Sequence, residues 1–239
     1  MPTQPWRIFG IPLHVNASWF VVVAYMIWSL ATGYFPETYP RWPHAVHWGM
    51  GGLAALLLFA CIVIHELAHA LMARRHGVAV ASITLFMFGG VSQLAGRPRR
   101  AFDEFLIALI GPAMSVLVAI ACVAGGRALQ AAAPGAVLAV ALLRYLAVIN
   151  IALAVFNLLP AFPLDGGRAV RALLWGFTHD LARATRIASG LGALFGLGLL
   201  LAGVWAAVAA RAISAGLWYI LLGFFLCSAA LRSYRTGCG

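Results

Sequence analysis

The segment Cys61–Gly77 reads CIVIHELAHALMARRHG, an apolar run that contains three ionisable side chains and ends in two arginines followed by a histidine and a glycine. His65 and His69 are four residues apart, so on an α-helix they lie on the same face, one turn apart. Two imidazoles in this arrangement can both bind one Zn²⁺. Charged groups inside a membrane-spanning helix each cost about 2.5–3.5 kcal/mol on insertion scales, so this cluster needs a compensating interaction. The alternative interpretation is a pair of interfacial histidines beside a glutamate that extends to the membrane surface.

The composition of the whole chain indicates a membrane protein. Of its 239 residues, 64% are hydrophobic and 9% are charged, whereas soluble domains are closer to half apolar and one quarter charged. The net charge of +10 comes from 16 arginines, no lysine and six acids. Because the arginines separate apolar runs, we expect them to meet lipid headgroups, and we expect no nucleic-acid partner. The four cysteines form no CxxC pair and predict no disulfide framework.

Six segments are long and apolar enough to cross a bilayer, which takes about 20 apolar residues in a helix. They are residues 17–35, 46–73, 105–125, 137–159, 187–209 and 213–231. The fifth is rich in glycine, which lets helices approach closely. The sequence therefore predicts an all-α polytopic membrane protein, a single domain over residues 1–239 with six transmembrane helices. The N-terminus lacks the features of a removable signal peptide.

The arginines predict the orientation in the membrane. With the N-terminus in the cytosol and six spans, twelve of the 16 arginines face the cytosol. Arg41, Arg127 and Arg211 then lie outside, and Arg144 lies within a span. This is the bias of the positive-inside rule, so we expect both termini to be cytosolic. The arginine-only, alanine-rich composition suggests a bacterial cell membrane.

A small β structure is predicted between the second and third spans. Residues 78–100 read VAVASITLFMFGGVSQLAGRPRR and are rich in β-branched and aromatic residues, with Gly89-Gly90 as a turn signal. The segment is too apolar for a solvated hairpin, so we place this hairpin or small sheet against the cytosolic side of the bundle. The N-terminal RIFGIPLHV is a candidate for a further strand beside it.

HExxH on a helix is the pattern of zinc-dependent proteases. Glu66 would project beside the ion, where it can accept a proton from a water that the zinc makes more acidic. If Arg74 and Arg75 mark the cytosolic boundary, His65 and His69 lie about 13 and 7 Å inside it by helical rise. Hydrolysis at this depth requires a polar cavity that admits water.

Catalytic zinc needs a third protein ligand and an open position. Asp165 is the best candidate among the six acids, and it lies in NLLPAFPLDGGRAVRALLW, residues 157–175. Pro160 and Pro163 end the fourth span, and irregular backbone at membrane depth is tolerated only where it lines a cavity or is buried in protein. The alternative role for Asp165 is to cap the helix that follows.

Four motifs together resemble the site-2 protease family of intramembrane zinc metalloproteases. They are HELAHA at 65–70, FGG at 88–90, GPAMS at 111–115 and NLLPAFPLDGGR at 157–168, in the family's order over most of the chain. The resemblance implies one Zn²⁺ per chain, bound by His65, His69 and Asp165, with Glu66 as the catalytic glutamate. It also implies that Asn157 contacts the substrate or the developing oxyanion. An interhelical hydrogen bond is the alternative for Asn157.

The resemblance further implies the type of substrate. Members cleave membrane-tethered proteins within or near a transmembrane segment, in regulated intramembrane proteolysis, and anti-sigma factors or transcription-factor precursors are typical substrates. Some relatives carry a PDZ domain between spans or a pair of CBS domains after the last span. This chain has no room for a PDZ domain between its spans, and it resembles the short form whose relatives carry CBS domains. The sequence stops at Gly239, just after the sixth span, without a CBS tail. The expected partners are a membrane-spanning substrate and the lipid bilayer, and the oligomeric state stays open.

Two other functions are compatible with a zinc site in a membrane. A CAAX-type membrane zinc protease would use a glutamate from a later helix as its third ligand, and no glutamate follows Glu104. A zinc transporter or sensor would need polar groups along a path that reaches both membrane faces, whereas the polar groups here cluster near the cytosolic side.

Overall fold

The computed structural model describes residues 6–87 and 89–236, so Phe88 of the FGG motif and Cys238 lie outside the described residues. Six of the helices in this part of the chain are long and apolar enough to cross a membrane. The predicted polytopic helical fold with a small sheet is therefore confirmed. The helices are α1 (Ala17–Thr38), α2 (His44–Arg75), α3 (Ala101–Ala132), α4 (Val137–Asn157), α5 (Asp165–Thr178), α6 (Leu181–Val208) and α7 (Ile213–Thr236). The strands are β1 (Trp6–Ile8), β2 (Ile11–Val15), β3 (Val80–Phe86) and β4 (Gly89–Leu94).

The six spans coincide with the predicted ones, although α2 and α3 are longer than expected. Each has 32 residues, which is about 48 Å of helix against about 30 Å of hydrocarbon. The prediction ended the third span at Gly125, before a second glycine and Arg127. The helix continues to Ala132 because an arginine close to a helix end can extend its long side chain to the membrane surface.

The chain divides into two compact units, which we describe separately. The first comprises residues 1–97 and 110–154, and the second comprises residues 98–109 and 155–239. The first unit contains the sheet, α1, α2 and most of α3 and α4. The second contains α5, α6 and α7.

The sheet of the first unit has the order β1-β2-β3-β4. β1 and β2 are antiparallel, β2 and β3 are parallel, and β3 and β4 are antiparallel. The N-terminal segment thus supplies two strands, one more than predicted. Ile11 and Ile83 pack with Ala70 in one buried cluster, which anchors the sheet on the helix that carries the HExxH motif.

The predicted position of the hairpin turn is wrong. Gly89 and Gly90 are the first residues of β4, where they pair with Phe86 and Leu85. The reversal therefore comes before the glycines, because Phe86 already pairs with Gly89. Gly90 is needed because β4 lies close against α2 there, and Gly89 has a φ of +126°, which favours glycine.

The last two membrane helices of the second unit pack through glycines. A Cβ atom at Gly203 would lie 2.8 Å from the carbonyl oxygen of Gly216, and one at Gly223 would lie 2.6 Å from that of Gly196. The predicted close approach of the glycine-rich span is therefore correct at Gly196 and Gly203. At Gly198, a Cβ atom would meet open space.

Candidate metal centre

The two histidines of the HExxH motif converge on one point. Their Nε2 atoms lie 3.1 Å apart, and both side chains are buried, each residue being 3% exposed. Two nitrogens bound to one tetrahedral zinc at about 2.0–2.1 Å would lie about 3.3 Å apart. The helical spacing of His65 and His69 therefore produces a pair of ligand atoms that fits a single zinc ion.

The histidine pair is supported from α3, within the first unit. The Ser115 hydroxyl lies 2.9 Å from Nδ1 of His65 and is almost fully buried. When Nδ1 donates its proton to this hydroxyl, Nε2 keeps the lone pair that a metal requires. A Cβ atom at Gly111 would lie 2.1 Å from Nε2 of His69 and 2.7 Å from Nε2 of His65. Only glycine leaves room for the two nitrogens at this point.

Glu66 is half-buried beneath β4. The hydroxyl of Ser92 donates to Oε2 of Glu66 at 2.8 Å and to the backbone oxygen of the same residue at 3.1 Å. A Cβ atom at Gly90 would lie 2.6 Å from Cγ of Glu66. The strand therefore orients the carboxylate, and the glycine of the FGG motif is required by close approach.

Asp165 belongs to the second unit, where it is the first residue of α5 and is 7% exposed. The N-cap of this helix is Leu164, which makes no side-chain cap hydrogen bond. Leu164 rather than Asp165 thus stands at the N-cap position, and Asp165 is the acidic residue of the first turn of the helix. Asp180, in contrast, caps α6, because its Oδ1 accepts from the backbone nitrogen of Arg183 at 2.9 Å.

The backbone before Asp165 is tightly packed. A Cβ atom at Gly166 would lie 2.2 Å from the carbonyl oxygen of Leu158, and one at Gly167 would lie 2.2 Å from the backbone nitrogen of Phe162. Close packing thus explains both glycines of the LDGG sequence. Nη1 of Arg168 lies 3.8 Å from Oδ1 of Asp165, which places a cation next to the carboxylate.

A buried ion pair braces the same segment within the second unit. Glu104 is 1% exposed and accepts from Arg171, whose Nε lies 2.9 Å from Oε1. The Arg171 guanidinium also lies over the ring of Phe162, 4.9 Å from its centroid. This role of Glu104 has no signal in the sequence, because the two partners are 67 positions apart.

The two asparagines differ in burial. Asn157 is half-buried at the end of α4, and its assignment to substrate or oxyanion contact stays a prediction. Asn150 is fully buried and donates to the carbonyl oxygen of Leu146 at 2.8 Å, as a structural residue would.

His65, His69 and Asp165 are each buried, and each offers one atom that could bind a metal ion. Two imidazole nitrogens and one carboxylate oxygen are the donor types of catalytic zinc sites. The chemistry of this donor set, and the space that Gly111 leaves for the two nitrogens, therefore fit zinc.

Known proteins of one family are similar to this chain. The family model of peptidase family M50 matches residues 53–203. The candidate zinc metalloprotease Rip3 of Mycobacterium tuberculosis is 40% identical over 227 residues, which are 94% of this chain and 56% of that protein. A candidate zinc metalloprotease of Synechocystis is 35% identical over 236 residues, 96% of this chain and 59% of that protein. The chain thus spans somewhat more than half the length of these curated relatives.

The fold gives the same result. The structure of the site-2 protease from Methanocaldococcus jannaschii is similar to this chain with a TM-score of 0.64 and 25% sequence identity. The similarity covers 98% of this chain and 95% of that one. Sequence and fold together show that this multi-pass membrane protein belongs to peptidase family M50, the family of the site-2 proteases.

Proposed function

We propose that this protein is an intramembrane zinc endopeptidase that cleaves a membrane-tethered protein within or near its transmembrane segment, in regulated intramembrane proteolysis. The observation that carries the proposal is the pair of converging Nε2 atoms of His65 and His69 beside the carboxylate of Glu66. The names of the relatives support a zinc metalloprotease. The proposed substrate is a membrane-spanning regulator such as an anti-sigma factor or a transcription-factor precursor.

In this proposal His65, His69 and Asp165 bind one zinc ion. When bound, zinc polarises the scissile carbonyl and makes a water more acidic. Glu66 accepts a proton from the attacking water and then transfers it to the leaving amine. The hydrogen bond from Ser92 occupies Oε2 of the glutamate, so we assign the proton transfer to Oε1. Asn157 is assigned to contact with the substrate or the oxyanion.

The sheet supports a way of holding the substrate. A spanning helix hides its peptide groups, so a protease must bind its substrate in an extended form. β4 is the edge strand next to Glu66 in the order β1-β2-β3-β4, and an edge strand can pair with an extended peptide. We therefore propose that the unwound substrate pairs with β4 beside the catalytic glutamate.

We also propose that both termini are cytosolic, in a bacterial cell membrane. The support is the distribution of arginines along the sequence, including Arg74 and Arg75 in the last turn of α2.

A substitution of the glutamate tests the activity. Glu66→Gln keeps the shape of the side chain but cannot accept the proton, so cleavage should fall by about 10²–10⁴-fold while zinc stays bound. The assay co-expresses single-span regulators that carry a tag at each end, and then repeats cleavage with purified protein before and after chelation of zinc. Glu37→Gln makes the same chemical change at an exposed position of α1 and should cleave normally.

Near-normal turnover by purified Glu66→Gln protein would refute the role of Glu66. Cleavage that survives complete removal of zinc would refute a metalloprotease. Zinc flux into vesicles without any cleavage would favour the transporter instead.

A further inference from the structure

A groove runs between α3 and α4 near the loop that connects them. At this end it widens into a cavity of about 610 Å³, whose wall includes Tyr39, Arg127, Gln130 and Arg144. Ligand pockets in proteins commonly measure about 300–1,000 Å³. The volume is therefore sufficient for a small organic group.

The groove continues along the two helices as a second cavity of about 520 Å³. Its wall is apolar, with Ile120, Val123, Val148 and Ile151 among the side chains that line it. Val123 and Val148 also line the first cavity, as does Arg127. The two cavities thus form one groove with a cationic end and an apolar length.

Two uncompensated charges lie at the cationic end. Arg127 is five residues before the end of α3 and Arg144 is seven residues after the start of α4. They are therefore about 8 and 10 Å along their helices from the connecting loop. Within the part of the chain that the structure describes, neither guanidinium forms a salt bridge or a hydrogen bond with the protein. Both arginines are exposed, and a long arginine side chain near a helix end can extend to the level of the lipid headgroups.

We propose that this groove binds one anionic phospholipid, with its phosphate between Arg127 and Arg144 and one acyl chain along the apolar wall. Guanidinium groups form strong, charge-assisted hydrogen bonds to phosphate oxygens. Basic pockets between transmembrane helices bind anionic headgroups at the cytosolic face of membranes. The same charge-assisted bonds can form at the opposite face, where the proposed orientation puts Arg127. The amide of Gln130 and the hydroxyl of Tyr39 can serve the other polar groups of the headgroup.

A free phosphate ion would satisfy the two arginines but would leave the apolar length of the groove without a ligand. A neutral hydrocarbon would fill the apolar length but would leave both charges without a counterion. A phospholipid with a net negative charge matches both ends. The proposal does not depend on the protease activity.

The test is lipid binding by the purified protein, measured by native mass spectrometry. Protein in detergent is titrated with phosphatidylglycerol or with phosphatidylcholine of the same acyl chains. We expect one tightly bound phosphatidylglycerol per chain and weaker binding of phosphatidylcholine. An arginine near the membrane surface contributes about fivefold to the binding of an anionic lipid, so Arg127→Gln or Arg144→Gln should each weaken binding about fivefold. The double variant should weaken it about 25-fold.

Matched control variants test whether a loss of lipid binding comes from the groove itself or from a change in net charge or side-chain size. Arg211→Gln removes an exposed arginine in the loop between α6 and α7 and should leave binding unchanged. Val148→Trp fills the groove and should abolish binding of the lipid. Val155→Trp is the matching change on α4 at a valine of similar exposure, 60% against 63%, that lies outside both sets of lining residues. It should bind lipid as the wild type does.

Unchanged affinity in the double arginine variant would overturn the proposal, as would equal affinity for the two lipids in the wild type. Displacement of the lipid by glycerol 3-phosphate at equal concentration would show an anion site instead, and would also overturn it. A lipid-free dimer that is lost in Val148→Trp would assign the groove to a second copy of the chain.

Discussion

The imidazoles of His65 and His69 depend on a small residue in α3. A Cβ atom at Gly111 would lie 2.1 Å from Nε2 of His69 and 2.7 Å from Nε2 of His65. Real Cβ atoms do not approach other atoms this closely. We expect Gly111→Ala to remove most of the bound zinc, because the methyl group occupies space that the two nitrogens need. Metal analysis of the purified protein measures this loss.

Gly125→Ala is the matched control on the same helix. Its Cβ atom would meet only Leu143, at an ordinary distance of 3.9 Å. This substitution should keep full zinc occupancy, and it should stabilise α3 slightly, since alanine is favoured over glycine in helices by about 1 kcal/mol. Full zinc occupancy in Gly111→Ala would show that the histidines bind metal elsewhere or in another arrangement.

Asp165 should matter for zinc in a way that the capping residue Asp180 does not. Asp165→Ala removes the proposed third ligand, so zinc occupancy should fall strongly. Asp180→Ala removes a cap that accepts from Arg183, which costs about 1 kcal/mol of stability and leaves zinc in place. The comparison uses zinc content and thermal stability together. Equal zinc content in the two variants would leave Asp165 without the assigned role.

The contact between α6 and α7 depends on glycines at some positions of α6 only. Gly203 faces the backbone of α7, since its Cβ atom would lie 2.8 Å from the carbonyl oxygen of Gly216, whereas Gly198 faces open space. Gly203→Ala should therefore destabilise the protein by about 1–3 kcal/mol through overpacking. Gly198→Ala should stabilise it slightly through helix propensity.

Thermal unfolding in detergent, followed by circular dichroism, distinguishes these two substitutions by the sign of the change. If both variants change stability in the same direction, the packing of α6 on α7 does not explain the effect of Gly203→Ala. The contrast is useful because the two glycines are five residues apart in one helix and look alike in the sequence.

The position of the cut follows from the orientation of the whole bundle. Arg74 and Arg75 lie in the last turn of α2, and His65 and His69 are about 13 and 7 Å before Arg74 by helical rise. If that end of α2 faces the cytosol, scission should occur in the cytosolic half of the substrate span or just beyond it. The soluble part of the substrate would then be released inward.

Mass spectrometry of the products locates the bond. A helix-breaking residue near the cut should favour cleavage, because unwinding in lipid exposes backbone groups that cost several kcal/mol each. A leucine in its place should slow cleavage. A cut in the outer third of the substrate span would contradict the orientation or the depth estimate.

Much of the fold was predictable because lipid acts on local composition. An apolar run of about 20 residues specifies a span wherever it lies in the chain, so all six spans were found. The ends of the spans were predicted less accurately. The third helix continues past Arg127 to Ala132, because a long arginine side chain near a helix end can reach the membrane surface. The pairing of β2 with β3 was only partly predicted, because the paired residues are 70 positions apart and the parallel register leaves no local signal.

The amino-acid sequence determined the elements and the histidine pair, since the spacing of His65 and His69 puts them on one face of any helix. The tertiary structure decided what surrounds them. Ser115 reaches His65 across 50 residues and Ser92 reaches Glu66 across 26, and packing of separate elements creates both contacts. Likewise, Arg127 and Arg144 line one cavity only because α3 and α4 lie side by side there. Helical periodicity and transfer into lipid act over neighbouring residues, whereas hydrogen bonds and cavities between elements depend on distances that no local pattern encodes.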